Sequence, residues 1–255
     1  MKRQKAKVKR DREEETGKKH TNFIEMYIFK DLGLIEYKKA WEFQEECFDE
    51  IIKTKLYNRE NENEKKSVTN RLLFCEHPHV YTLGKSGTQN NLLINDDFLK
   101  KIDATYFKTN RGGDITYHGP GQVVGYPIID LEELGLSVKE YIFKLEEVII
   151  RLLKDYNIES SLLDGATGVW LDANTSGKAR KICAIGVKAS RYVTMHGFAF
   201  NVNTDLTYFN HINPCGFVDK GVTSMEKELG EKQDMEKIKK QLLNHFESVF
   251  NVSFK

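Results

Sequence analysis

Two residue types that make chemistry together stand in telling settings in this chain. Cys215 lies in Asn213-Pro214-Cys215-Gly216-Phe217, between a rigid proline and a permissive glycine. That setting belongs to a loop rather than to a core. Lys181 opens the run Lys181-Ile182-Cys183-Ala184-Ile185-Gly186-Val187, which alternates like a strand. Simple alternation puts Ile182, Ala184 and Gly186 on one face and Lys181 with Cys183 on the other. A thiol beside an ammonium loses its proton more readily and becomes a nucleophile at neutral pH. The same residues also fit a plainer arrangement, with Lys181 at a solvated strand end and Cys215 packing a turn. Spacing alone does not choose between the two.

A second constellation is Arg111–Gln122, RGGDITYHGPGQ. Gly112 and Gly113 allow a backbone to approach a ligand closely, and Arg111 brings a fixed cation. Tyr117 and His118 add donors and an apolar ring, and Gly119-Pro120-Gly121 fixes the exit. A turn needs two to five residues; this segment is longer and richer, and is expected to contact a ligand. Two other motifs mislead. Gly84-Lys85-Ser86 looks like the end of a phosphate-binding loop, but the glycine required five residues before Gly84 is His79. Gly119, Gly121 and Gly125 are mis-spaced for a dinucleotide fingerprint, and Pro120 removes an amide. The four cysteines, Cys47, Cys75, Cys183 and Cys215, form no CxxC pair and have no zinc spacing with histidine. No metal site is expected, and the thiols read as free ones in a cytoplasmic protein.

The elements that must position these residues come next. The 255 residues are 40% hydrophobic and 11% aromatic, enough for a real core, and no apolar run approaches a membrane span. The net charge of +1 is low for a protein that binds nucleic acid through charge. The charge is uneven: residues 1–20 carry 9 Lys/Arg against 4 Asp/Glu, with almost nothing to bury, and are expected to form a disordered basic tail. Residues 21–255 form the folded domain, with an exposed loop at 58–69. Strands are expected at 23–29, 72–75, 80–83, 104–108, 123–131, 167–171, 181–188 and 198–202, with Pro127 hinting at an edge or a bulge. Helices are expected at 34–57, 98–102, 137–156 and 235–250, the third opened by the capping box Ser137-Val138-Lys139-Glu140. Helices and strands mix without regular alternation, which points to α/β or α+β with a mixed sheet.

The strings EHPHVYTLGKSG (Glu76–Gly87), RGGDITYHGPGQVVGYPIIDL (Arg111–Leu131), GVW (Gly168–Trp170), RKICAIGVKASRYVTMHGFAFNVNTDL (Arg180–Leu206) and NPCG (Asn213–Gly216) resemble the lipoyl(octanoyl) transferases of lipoate synthesis. The likeness covers roughly residues 23–250. It implies a single-domain biotin/lipoate-attachment catalytic fold of the biotin protein ligase type. It implies transfer of an octanoyl group from octanoyl-acyl-carrier-protein to the target lysine of lipoyl domains, through an acyl thioester on Cys215, with ping-pong kinetics. Lys181 would lower the thiol's pKa and handle protons. Arg111, Gly112, Gly113 and Asp114, continuing through Ile115, Thr116, Tyr117 and His118, would line the substrate site. Ala184, Ile185 and Gly186 would do so too, with Gly197, Phe198 and Ala199. The implied partners are acyl carrier protein, the lipoyl domains of 2-oxoacid dehydrogenase complexes and the glycine cleavage H protein. No cofactor, nucleic acid or membrane is implied, and the chain is expected to be a monomer. Cys183 stands where the family leads one to expect a small residue such as alanine. The rival readings are an ATP-dependent lipoate or biotin ligase on the same fold and a non-catalytic binding module for carrier or lipoyl domains.

Overall fold

The capping box forms as its spacing demands. Ser137 accepts from the Glu140 N–H, and the Glu140 carboxylate accepts from Ser137 N–H at 2.8 Å. The computed structural model in which this is seen describes residues 26–213 and 220–255. The expected basic tail at 1–20, the first residues of the expected strand at 23–29 and Cys215 lie outside the described residues.

In chain order the elements are β1 (Met26–Leu34), α1 (Tyr37–Glu60), β2 (Thr69–Glu76), β3 (Val80–Leu83), α2 (Asp96–Lys101), β4 (Thr105–Lys108), β5 (Ile115–His118), β6 (Gln122–Ile128) and α3 (Val138–Asp155). β7 (Ser161–Leu163), β8 (Ala166–Leu171), β9 (Arg180–Ser190), β10 (Val193–Asn201), β11 (Gly221–Val222), α4 (Met225–Leu229) and α5 (Met235–Phe250) follow. The main sheet runs β1-β2-β6-β10-β9-β8-β7, with β11 parallel to the start of β9, and a small sheet runs β4-β3-β5. β1 pairs β2 in parallel, and the other neighbours along the main path are antiparallel. The expected mixed α/β architecture is thus the one observed.

Alternation along the strands sorts the core into two faces. Leu72 and Phe74 of β2, Val123 of β6 and Phe198 and Phe200 of β10 pack with α3 and α5. Leu73, Cys75, Val124, Tyr126, Val193 and Met195 pack with Ala40, Phe48, Ile51 and Ile52 of α1. The sheet therefore lies between α3/α5 and α1.

Three expectations need correction. The segment 58–69 is not one exposed loop: α1 continues to Glu60, β2 begins at Thr69 and Val68 is buried. Arg59 and Glu60 are adequate helix formers, so nothing stops the helix at its last apolar residue. Leu34 ends β1 instead of starting the helix, and is largely exposed. Pro127 sits on an interior strand, β6, between β2 and β10. The hydroxyl of Thr194 on β10 repairs the ladder there: it accepts from Ile129 N–H at 3.1 Å and donates to the Pro127 carbonyl at 2.8 Å.

Candidate active site

Where β9 meets β8, one residue is extra. Val169 pairs with Cys183 and Trp170 with Lys181, so Ile182 has no partner of its own on β8. This β-bulge re-aims the side chains on either side of it. Ile182 and Cys183 both enter the core against α3, while Lys181 turns to the opposite face with Ala184 and Gly186. The expected alternation, with Lys181 and Cys183 sharing a face, is thereby overturned. Burial pushes the Cys183 thiol well above its ordinary pKa, so it is a packing residue.

On the face opposite α3 a cavity of about 480 Å³ opens. Its room comes from small residues at facing register positions: Gly186 pairs with Gly197 and Ala184 with Ala199 across β9 and β10. Val124 and Trp170 supply apolar wall, with Lys181 beside Trp170; Phe198 and Ile185 border the cavity from strand positions whose side chains pack into the α3 core. The Lys181 ammonium donates to the Thr167 carbonyl at 3.0 Å and lies 4.6 Å from the Trp170 ring centroid. Asn213 and Lys220, the described residues on either side of the segment that carries Cys215, both line this cavity.

The Arg111 loop reaches the same cavity because it lies directly on β9. Gly112 N–H donates to the Val187 carbonyl at 2.8 Å. A Cβ on Gly186 would stand 2.8 Å from the Gly112 carbonyl and 3.2 Å from the Arg111 guanidinium, so the close approach requires glycine there. The loop's carbonyls also absorb the amides of the phosphate-loop look-alike: Lys85 N–H donates to Arg111 O and Ser86 N–H to Gly113 O, each at 3.0 Å. Those amides are not left to cradle a phosphate.

A chain of hydrogen bonds fixes the polar wall. The Arg111 guanidinium donates to the Thr82 hydroxyl and carbonyl. His118 accepts from the Thr82 hydroxyl and donates through Nδ1 to Gln122 at 2.8 Å. Gln122 donates to Asn201, which donates to the Thr223 carbonyl. A fully satisfied buried network of this kind is rigid. Burial, reinforced by the Arg111 charge and by any proton on His77, holds His118 neutral, its pKa well below the ordinary 6.5. Burial and Arg111 push His196 down to about 3. Its Nε2 donates to Asn110 at 2.6 Å. Both imidazoles are therefore neutral at neutral pH.

Of the site residues expected from sequence, Lys181 lines the cavity, as do Arg111, Gly113, Asp114, Ile115, Thr116 and His118 from the loop and strand β5. Ala184, Ile185 and Gly186 line it from β9, and Gly197, Phe198 and Ala199 from β10. Gly112 and Tyr117 stand behind the wall. Gly112 docks the loop on β9, and Tyr117 is fully buried in the small sheet's core, its hydroxyl 2.7 Å from His79 Nδ1. Sequence reading missed Tyr37, Tyr126, His196 and Asn201 as wall residues, and placed Gln122 only within the ligand-contacting segment Arg111–Gln122. Glutamine, histidine and asparagine within strand runs were the available signal.

The family described as the lipoyl protein ligase A/B catalytic domain matches residues 36–247. An octanoyltransferase of Bacteroides thetaiotaomicron is 55% identical over 215 residues, 84% of this chain and 91% of that protein. An octanoyltransferase of Cytophaga hutchinsonii is 51% identical over 234 residues, 91% of this chain and 96% of that one. The chain belongs to the octanoyltransferase family. This octanoyltransferase-family chain also shares its fold with a bipartite lipoate protein ligase from Thermoplasma acidophilum, at a TM-score of 0.66 and 13% identity over 91% of this chain and 86% of that one. A lipoate-protein ligase A bound with ATP matches at a TM-score of 0.63 and 12% identity, over 91% and 87% of the two chains. At such identities the likeness is one of fold, and it is the lipoate-attachment catalytic fold that the sequence resemblance implied.

Proposed function

We propose that this protein transfers an octanoyl group from octanoyl-acyl-carrier-protein to the target lysine of lipoyl domains, through a thioester on Cys215. The observation that carries the reading is the bulge-directed Lys181 in an apolar-floored cavity whose wall includes Asn213 and Lys220, the two flanks of the Cys215 segment. In the first half-reaction the Cys215 thiolate attacks the thioester carbonyl, the carbonyl–sulfur bond to the carrier breaks, and the leaving thiolate takes a proton from the Lys181 ammonium. In the second, the lipoyl-domain amine attacks the Cys215 thioester, the amide forms, and the amine's proton passes by way of Lys181 to the departing thiolate. A thioester becomes an amide, so the transfer runs downhill without ATP. The apolar wall suits an alkyl chain: burying the six methylenes of an octanoyl group is worth roughly 5 kcal/mol at about 0.8 kcal/mol per CH₂. The partners on this reading are acyl carrier protein and the lipoyl domains of 2-oxoacid dehydrogenases and the glycine cleavage H protein.

The test is intact-protein and peptide mass spectrometry after incubation with octanoyl carrier protein, without ATP. An octanoyl adduct on Cys215 that chases onto an added lipoyl domain supports the reading. Transfer that persists in Cys215→Ala, or that requires ATP, overturns it.

A further inference from the structure

Helix α3 presents a carboxylate where its apolar face meets the sheet. Glu146 is 7% exposed and neighbours Leu145, Val148 and Ile149, all fully buried. It accepts a hydrogen bond from Gly168 N–H at 2.9 Å, on the α3 side of β8. The Thr167 carbonyl, which receives the Lys181 ammonium at 3.0 Å on the cavity side, belongs to the same peptide unit. In a trans peptide the N–H and C=O point in opposite directions. A peptide whose N–H is held from one side of the sheet therefore aims its carbonyl at the other. Gly168 makes this possible: its φ of +117° stands the peptide across the sheet, and a Cβ there would meet the Cys183 carbonyl at 2.4 Å.

We propose that Glu146 is a positioning residue for Lys181, acting through the sheet by fixing the Thr167–Gly168 peptide whose carbonyl holds the lysine ammonium. The role rests on the reading of Lys181 as the proton-handling group, but the geometry is independent of it. Around Lys181, β8 contributes the Thr167 carbonyl and the Trp170 ring, β9 contributes Cys183, and α3 contributes Glu146. Without Glu146, a buried Gly168 N–H loses its acceptor, the peptide is free to turn, and the ammonium loses its fixed partner.

Two variants separate orientation from charge. Glu146→Gln keeps a side-chain carbonyl for Gly168, whereas Glu146→Leu removes the acceptor at similar volume. If the leucine variant folds poorly, Glu146→Met takes its place. The readouts are octanoyl transfer, with kcat and KM separated, and the rate at which trace acetic anhydride acetylates Lys181 as a function of pH, read by peptide mass spectrometry. The leucine variant should lose about 10- to 100-fold in kcat with little change in KM, as for a catalytic group displaced by about 1 Å. Its Lys181 should be acetylated about threefold faster at pH 8, the effect of half a pKa unit, because the released ammonium gives up its proton more easily. Glutamine should restore kcat to within about threefold of wild type, roughly half a pKa unit's worth of free energy. A folded leucine variant with an unchanged kcat and an unchanged acetylation profile would overturn the proposal. So would a glutamine variant as impaired as leucine. Lys181→Gln is run alongside: full turnover there removes Lys181 from the chemistry, and the acetylation profile then decides the positioning role by itself.

Discussion

Gly186→Ala tests whether the Arg111 loop must lie directly on β9 for the site to work. The backbone at Gly186 is outside the left-handed region, so alanine brings no conformational strain. The effect must come from the new methyl, which would stand 2.8 Å from the Gly112 carbonyl and 3.2 Å from the Arg111 guanidinium. Ordinary contact begins at 3.4 Å, so the loop must lift by about 0.6 Å. Overpacking of this kind costs about 1–3 kcal/mol. In a chain of this size that lowers Tm by about 2–4 °C per kcal/mol. A full ångström of misplacement near reacting groups is worth roughly 100-fold in rate, so 0.6 Å should cost about tenfold or more in kcat/KM for octanoyl transfer. Gly221→Ala is the matched control. It lines the same cavity from β11, but its Cβ would meet only the Arg180 Cβ, at 3.6 Å. That variant should melt and turn over like wild type. If thermal melts and transfer kinetics fail to separate the two alanine variants, the loop is not held by its contact with β9, and the account of why this position is glycine collapses.

Lys181→Gln should abolish most transfer while the protein stays folded, and should move the alkylation profile of Cys215 up toward the ordinary thiol pKa near 8.5. An unmoved profile would separate the ammonium from the thiol. Thr194→Val should cost about 2–4 kcal/mol in urea denaturation, because Ile129 N–H and the Pro127 carbonyl lose a buried partner together. Thr194→Ser keeps the hydroxyl and should cost about 1 kcal/mol, and equal losses in the two variants would refute the repair. Stability should also fall in mild acid. His77 is pushed down to about 4, His196 to about 3 and His118 well below 6.5, so only the unfolded chain takes up these protons near pH 6. The stabilisation is complete above the unfolded pKa of about 6.5 and is lost as pH falls from there toward the folded values. The slope can reach about 4 kcal/mol per pH unit with all three contributing. Urea midpoints that stay flat from pH 7.5 to 5 would contradict it.

The long helices α3 and α5 were legible because their signals are local, whereas the short α4 gave none that was read. The capping box at Ser137 and the apolar period of α5 depend on residues within a few positions of one another. β3 was legible too, as a short apolar run between turn residues. What sequence could not show was set by register. The bulge at Ile182 is created by how β9 pairs with β8, so alternation read along β9 alone sent Lys181 to the wrong face. Pro127 read as an edge or a bulge because its compensation comes from Thr194, 67 positions away. The carboxylate of Glu146 lay within the apolar arc of α3, and a charge there was a visible anomaly, but the glycine it serves is 22 residues further on. The strings of the Arg111 loop, β9 and β10, by contrast, converge on one cavity, since these segments are joined by contacts that the glycines themselves permit.

The lysine presented by the bulge also guards the bulge. If β9 straightened, Lys181 would swing to the face now occupied by Ile182 and Cys183, and its ammonium would be enclosed by the core against α3. Even beside the Glu146 carboxylate on that side, taking the ammonium out of water offsets much of what the pair would gain, so the residue that the observed pairing exposes disfavours the alternative one. On the proposed reading of Lys181, fidelity of strand alignment and proton handling fall to one side chain. An apolar replacement would lose both at once, leaving two alignments nearly equal in energy, whereas a neutral polar replacement would surrender only the chemistry.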